Sequence, residues 1–112
     1  MENCLFCKIS NGNGSKVFEN EEFVIIKDIN PAVKLHYLLM PKNHYDDIVD
    51  FVQNDPEGVS RAFKLIAELK DELGLTNGFR VVTNKGTDGG QTVGHIHIHI
   101  LGGESVSKKM GW

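Results

Sequence analysis

The sequence has few of the features that mark secreted, membrane-spanning or nucleic-acid-binding proteins. Only two of its 112 residues are cysteine, too few for the disulfide framework of a small secreted domain. No apolar run approaches the roughly 20 residues of a transmembrane helix, and residues 1–4 do not resemble the start of a secretory signal. A net charge of −3 disfavours a general nucleic-acid or anionic-membrane binder. We therefore expect a cytoplasmic protein with reduced thiols and with neither nucleic acid nor membrane as a partner.

What is present fits an ordinary globular protein, with 40% hydrophobic and 24% charged residues. A chain of this length predicts a single domain over residues 1–112. Short runs rich in β-branched and aromatic residues, bounded by turn-forming residues, predict strands. We place these strands at 22–28, 35–40, 78–84 and 93–101, and a short N-terminal helical turn at 4–9.

One long helix is predicted to begin at Asp55. This residue is a plausible N-cap, Pro56 suits the first helical position, and Glu57 favours the positive end of the helix. Apolar residues then recur at three- and four-residue steps until Gly74, a natural stop. Strands and one long helix without a strict βαβ alternation favour an α+β fold with a mostly antiparallel sheet.

Three of the five histidines stand in one alternating segment, Gly94–Leu101. In a strand, His95, His97 and His99 point to one face and the intervening isoleucines point to the other, towards the core. Three imidazoles on one face of a strand are not expected from strand pairing alone and indicate a functional role. Two chemistries use such an arrangement: coordination of a transition metal, and nucleophilic attack by a neutral imidazole.

The segment before the histidines, residues 84–92, supplies glycines, an amide and hydroxyls. Backbone N–H groups in such loops can surround phosphate oxygens. A glycine-rich loop alone is weak evidence, but directly before three histidines on one face it favours a phosphoryl site over a bare metal site.

Residues 89–103, Gly-Gly-Gln-Thr-Val-Gly-His-Ile-His-Ile-His-Ile-Leu-Gly-Gly, resemble the signature of the histidine triad superfamily, and most closely its Hint branch of nucleotide-binding proteins. Segments 4–9, 28–31 and 41–44 extend the resemblance over nearly the whole chain. The resemblance implies a five-stranded sheet with one long helix and a short N-terminal helix. It also implies hydrolysis of nucleoside 5′-phosphoramidates through a nucleotidyl-histidine, a purine nucleotide such as AMP as ligand, no organic cofactor, and a homodimer joined through the long helix and residues 79–83.

The resemblance also implies roles for individual residues. His97 would be the nucleophile, His99 would contact the phosphoryl oxygens, and Thr92 would hold the leaving group. The implied nucleotide-binding residues are Leu5, Phe6, Ile9, Ile26, Asp28, Ile29, His36, Asn84, Gly90 and Gln91. From the residue types alone, Asp28 fits a turn aspartate equally, His36 a core histidine, Asn84 a turn cap, and the apolar members plain core.

The pair Cys4 and Cys7 fits a redox dithiol, half of a zinc site, or two unrelated thiols. Related histidine triad proteins pair such cysteines with a histidine after a Pro-x-x-His turn and with the first triad histidine. The resemblance therefore implies one structural zinc ion held by Cys4, Cys7, His44 and His95.

Other functions use the same residues. The triad histidine could instead serve dinucleoside polyphosphate hydrolysis or nucleotidyl transfer, or the chain could be a nucleotide-binding regulatory protein with incidental activity. Outside the family, three histidines on one strand fit a metalloenzyme.

Overall fold

The computed structural model describes residues 6–7 and 16–107. Phe6 and Cys7 are helical, in agreement with the predicted N-terminal turn, whose other residues lie outside the described part. The elements that follow are β1 (Phe18–Glu19), β2 (Phe23–Lys27), β3 (Leu35–Pro41), α1 (Ile48–Asn54), α2 (Pro56–Leu69), β4 (Phe79–Val82) and β5 (Ile98–Gly102). Among the described residues, neither helix has the length and apolar character needed to cross a membrane.

The five described strands form one sheet in the order β1-β2-β3-β5-β4, and every neighbouring pair is antiparallel. The α+β class and the antiparallel sheet predicted from the sequence are therefore confirmed. In the centre, β3 lies beside β5, with Leu38 opposite His99 and Leu39 opposite Ile98. Paired residues share a face of the sheet, so this register determines which side chains meet at the site.

The two faces of the sheet have different chemistry. One face carries the main core, in which the sheet packs against α1 and α2 through buried residues that include Phe23, Ile25, Leu39, Phe51, Ala62, Ile66, Ile96, Ile98 and Ile100. The other face carries the histidines and a smaller apolar cluster of Phe6, Val24, Leu38 and Met40, with Ile26 and Val93 packed against it. The predicted separation of isoleucines from histidines is thus observed.

The helix predicted from Asp55 begins where expected. The Asp55 carboxylate accepts a hydrogen bond from the Gly58 amide at 3.0 Å, which satisfies one of the amides left unpaired at a helix N-terminus. The helix ends earlier than predicted, at Leu69, and residues 70–74 continue in hydrogen-bonded turns. Gly74 has a φ of 78°, so it closes these turns in the left-handed conformation that favours glycine.

Two elements were not predicted. β1 has only two residues, too few to show alternation. α1 contains several β-branched residues and buries only Phe51 completely, so its sequence has no clear apolar stripe. Its N-cap is Asp47, whose side chain accepts a hydrogen bond from the Asp50 amide at 2.9 Å.

Candidate active site

The strand predicted at 93–101 is wrong at its beginning, because β5 starts only at Ile98. Residues 93–95 form a bend. The next residues bond to neighbours that are not strands: the Ile96 amide donates to the Tyr45 carbonyl at 2.7 Å, and the Thr83 hydroxyl donates to the His97 carbonyl at 3.0 Å. The pairing of β3 with β5 stops at Leu39 and Ile98, and that of β4 with β5 stops at Val82 and His99, so residues 93–97 pair with neither strand.

The three histidines are nevertheless brought together and buried. The rings of His97 and His99 lie 5.0 Å apart, centroid to centroid. Phe6 contacts His97 edge-on at 4.7 Å. His95 lies on the far side of this group, where its ring contacts His44 at 4.9 Å. The segment therefore divides its histidines between two places, with His95 in one and His97 and His99 in the other.

His97 is held in one tautomer. Its Nδ1 lies 2.9 Å from the His95 carbonyl oxygen, which can only accept, so Nδ1 carries the proton and donates it. Nε2 of the neutral ring is then the atom with the lone pair. Burial lowers the pKa of His97 below its ordinary value, against the opposing effects of the His95 carbonyl and of Asp28. The arrangement presents a neutral imidazole with a defined basic nitrogen, the form required of a nucleophile.

His99 is oriented by a chain of hydrogen bonds that starts at a backbone amide. The Ala32 amide donates to His36 Nδ1 at 3.0 Å, so His36 carries its proton on Nε2. That Nε2 lies 2.9 Å from His99 Nδ1 and donates to it, which places the proton of His99 on Nε2. Burial, followed by the neighbouring His97 and His36, lowers the pKa of His99 to about 4. His99 is thus a neutral ring that carries its proton on Nε2.

Asp28 lies directly behind this pair. One carboxylate oxygen accepts from the Asn30 amide at 2.8 Å, the hydrogen bond typical of a turn aspartate. The other lies 3.3 Å from His36 Nε2. This contact is not an ion pair, because His36 is neutral. The hydrogen bond from the Ala32 amide occupies the lone pair of His36, and burial lowers the pKa of His36.

Cys7, His44 and His95 form a separate cluster. The Cys7 Sγ lies 3.2 Å from His44 Nδ1 and 3.3 Å from His95 Nδ1. The other nitrogen of each ring donates to an oxygen: His44 Nε2 to the Asp46 carboxylate at 2.8 Å, and His95 Nε2 to the Pro41 carbonyl at 2.9 Å. Both Nδ1 lone pairs are therefore directed at the sulfur. One thiol and two oriented imidazoles are a donor set that suits zinc, and the fourth predicted ligand, Cys4, lies outside the described residues.

A second group, Asp28, His36 and His99, has ligand atoms equally close together. It does not suit a metal, because the Ala32 amide occupies the only lone pair of neutral His36. Among the described residues, the hydrogen bonds thus distinguish two clusters. Cys7, His44 and His95 can bind a metal, whereas Asp28, His36 and His99 fix the positions of protons.

The glycine-rich loop precedes the histidines as predicted, and residues 85–90 are exposed. Asn84 is half-buried, Thr92 is exposed, and Gly90 has a φ of 76°. Gln91 instead directs its amide towards neighbouring backbone groups. The Gln91 Nε2 donates to the carbonyls of Asp46 and Val93 at 2.6 and 3.0 Å.

The predicted apolar residues are distributed unevenly. Phe6 is buried and Ile26 half-buried on the histidine face. Ile29 is 92% exposed, beyond the small apolar cluster. Leu5 and Ile9 lie outside the described residues. Sequence reasoning missed Asp46 and the Ala32 amide; the spacing of His44 and Asp46 is the one signal that could have indicated the first.

Comparison with known proteins identifies the family of the chain. The HIT domain family matches residues 11–106. Protein HitA of Neisseria gonorrhoeae is 41% identical over 104 residues, which cover 91% of this chain and 97% of HitA. A HIT family hydrolase from Clostridium thermocellum superposes with a TM-score of 0.86 at 35% identity, covering 96% of each chain. A structure from Sulfolobus tokodaii, described as a hypothetical histidine triad nucleotide-binding protein, has a TM-score of 0.74 at 31% identity, covering 88% of this chain and 68% of that one. The chain therefore belongs to the histidine triad (HIT) family.

Proposed function

We propose that the chain is a nucleotide-binding hydrolase that cleaves nucleoside 5′-phosphoramidates, AMP joined to an amine being the representative substrate. The observation that carries the proposal is the fixed tautomer of His97, whose Nε2 holds the lone pair while Nδ1–H is bound to the His95 carbonyl. The names of the hydrolase and nucleotide-binding relatives support the reaction class and the ligand class.

The reaction follows from that nitrogen. His97 Nε2 attacks the phosphorus, the phosphorus–nitrogen bond breaks with its electron pair going to nitrogen, and the amine leaves after taking up a proton from solvent. The phosphorylated ring carries a positive charge, which the hydrogen bond from Nδ1–H to the His95 carbonyl stabilises. Water then attacks the phosphorus and releases the nucleotide from His97.

The surrounding groups stabilise charge on the phosphoryl oxygens. His99 remains neutral at pH 7 and offers Nε2–H, so it donates without carrying a charge of its own. We assign Asn84 and Thr92 to the phosphate and leaving group. The Gly90 amide already donates to the Thr87 carbonyl at 3.1 Å, so we assign the Gly90 backbone to shaping the loop beside the phosphate. We assign Asp28 to the ribose hydroxyls, with His36 in support and with Leu5, Phe6, Ile9, Ile26 and Ile29 lining the base pocket.

We further propose that Cys7, His44 and His95, with Cys4, hold one structural zinc ion. The fit rests on two Nδ1 lone pairs directed at the Cys7 sulfur. Bound metal would crosslink the N-terminal segment to the loop after β3 and to the histidine segment, and would supply stability rather than chemistry.

A homodimer is the third part of the proposal. β4 is an edge strand of the sheet, and Phe79 at its start is 38% exposed. Phe63 on α2 is 46% exposed, while the rest of the apolar stripe packs into the core. An edge strand and two exposed phenylalanines suit a second copy of the chain. Sedimentation at micromolar concentration tests this, and a stable monomer would contradict it.

The catalytic proposal is tested with adenosine phosphoramidate and the variant His97→Asn. We expect the variant to fold and to bind AMP, but to lose several orders of magnitude in turnover, because no other group replaces a covalent nucleophile. His99→Ala, which removes stabilisation but leaves the nucleophile, should lose less. Rapid-quench mass spectrometry of the wild type should show an adenylated peptide containing residues 94–101.

Near-native turnover by His97→Asn, or a label on His95, would refute the mechanism. Dinucleoside polyphosphates and adenylyl sulfate complete the substrate panel. If either is turned over faster than the phosphoramidate, His97 is the nucleophile of that alternative reaction instead.

A further inference from the structure

The side chain of Gln91 is bonded at three points within the protein. Its Nε2 donates to the Asp46 carbonyl at 2.6 Å and to the Val93 carbonyl at 3.0 Å. Its Oε1 accepts from the Gly86 amide at 3.0 Å. An amide group has two N–H donors, and both are used here. Gln91 therefore has no donor left for a phosphate oxygen.

These bonds close the glycine-rich loop on itself. The Gly86 amide bonds the side chain of Gln91, and the Gln91 amide donates to the Gly86 carbonyl at 3.0 Å. The Gly90 amide donates to the Thr87 carbonyl at 3.1 Å. The two ends of the turn are thus joined twice, once through backbone and once through the side chain of Gln91.

The same side chain fastens the loop to the segment that opens α1. Asp46 is held on two other sides, since its carboxylate accepts from His44 and its amide donates to the Asp50 carboxylate at 2.8 Å. Its carbonyl is thus a fixed anchor for the loop. Lys85 makes a second link to this segment, through an ion pair with Asp47 at 2.8 Å, but the Lys85 side chain is 49% exposed and water screens the pair.

We propose that Gln91 is a positioning residue that sets the place of Gly90 and Thr92, its two chain neighbours, and does not itself contact the nucleotide. This inference rests on the proposed function for the roles of those neighbours. It replaces the assignment of Gln91 to nucleotide binding that the family resemblance implied. Gln91 joins the loop to Asp46, just before α1, and to Val93, just before the histidines, so its side chain holds the loop in place next to the triad.

The test uses the full chain with Gln91→Met, which keeps the length of the side chain and removes its hydrogen bonds. Residue-resolved hydrogen exchange is measured first, without nucleotide. The Gly86 amide should exchange about tenfold faster in the variant, because it has lost its acceptor. The backbone amide of residue 91 keeps the Gly86 carbonyl but should also exchange faster, because one bond instead of two then closes the turn. With adenosine phosphoramidate, kcat/KM should fall about tenfold or more, because the loop is no longer held in position, while Tm stays close to that of the wild type.

The control is Lys85→Met, which removes the exposed ion pair to the same segment and leaves the Gln91 amide intact. Its exchange and kcat/KM should stay within about twofold of the wild type. An equal effect of both variants would overturn the assignment to Gln91.

Three further results would overturn the proposal. Unchanged exchange together with weaker AMP binding would make Gln91 a direct ligand. Faster exchange with unchanged kcat/KM would show that the position of the loop does not affect turnover. No change in exchange or in kcat/KM would show that the hydrogen bonds of Gln91 do not stabilise the loop. Failure of the proposed function is separate, because it appears as absent AMP binding and turnover in the wild type, whereas the exchange result is obtained without nucleotide.

Discussion

Acid should destabilise the wild-type chain more than a variant in which residue 99 cannot take up a proton. The folded protein keeps His99 neutral, because burial and the rings of His97 and His36 lower its pKa to about 4. In the unfolded chain the same side chain returns to its ordinary value near 6.5. Between these two values the unfolded state binds a proton that the folded state does not, so the free energy of unfolding must fall as the pH falls.

The size of the effect follows from the two values. A difference of 2.5 between the two pKa values, at about 1.4 kcal/mol per pH unit, gives a total of about 3.5 kcal/mol. Most of it, about 2.5 kcal/mol, is lost between about pH 7.5 and about pH 4.5, and nearly all of that below pH 6.5. His99→Gln removes the titration, while its side-chain oxygen can still accept from His36 Nε2.

The assay is urea unfolding of both proteins in the same metal state at four pH values across this range. The wild type should lose about 2.5 kcal/mol more than His99→Gln between the two extremes. A difference below about 0.5 kcal/mol, or one of opposite sign, would refute the argument that His99 is held neutral. It would also remove the description of His99 as an uncharged donor to phosphate.

Three other changes have defined outcomes. Gly103→Ala should lower the free energy of unfolding by about 3 kcal/mol, because φ is 79° and the new Cβ would lie 2.7 Å from the Leu35 Cγ. Gly86→Ala, with φ of 70° and no atom within 4 Å of the new Cβ, should lower it by only about 1 kcal/mol in the same urea assay. Equal losses would disprove the steric reason. Asp55→Ala should lower stability by about 1 kcal/mol and Asp55→Asn much less, because asparagine also caps a helix; equal losses in thermal unfolding would contradict the capping role. Cys7→Ser should lower both bound zinc and Tm in protein purified without a metal-affinity tag, and full zinc content by elemental analysis would contradict the proposed metal site.

The sequence is sufficient for the features that depend on local periodicity. The alternation in residues 94–101 correctly separates the histidine face from the isoleucine core. The start of α2 is also correct, because Asp55 and Pro56 act within a single turn. Such features need no knowledge of distant parts of the chain.

Features that depend on partners distant in sequence were beyond this reasoning. β5 starts late because residues 96 and 97 bond to Tyr45 and Thr83 instead of pairing with a strand, and these partners are distant in sequence. The tautomer of His36 depends on the Ala32 amide, a group that every residue except proline possesses and that no motif can mark. The family resemblance brought together Cys7, His44 and His95, but only the structure shows where their lone pairs point.

The segment Gly94–Leu101 contributes to the core, the proposed nucleophile and the proposed metal site within eight consecutive residues. The isoleucines at its even positions pack in the core, and the histidines at its odd positions lie at the two sites. Deleting or inserting a single residue would place isoleucines where the imidazoles stand and imidazoles in the core, so all three duties would be lost together. Over evolutionary time the length of this segment should therefore stay fixed, and any family variation in length should be confined to its flanking loops.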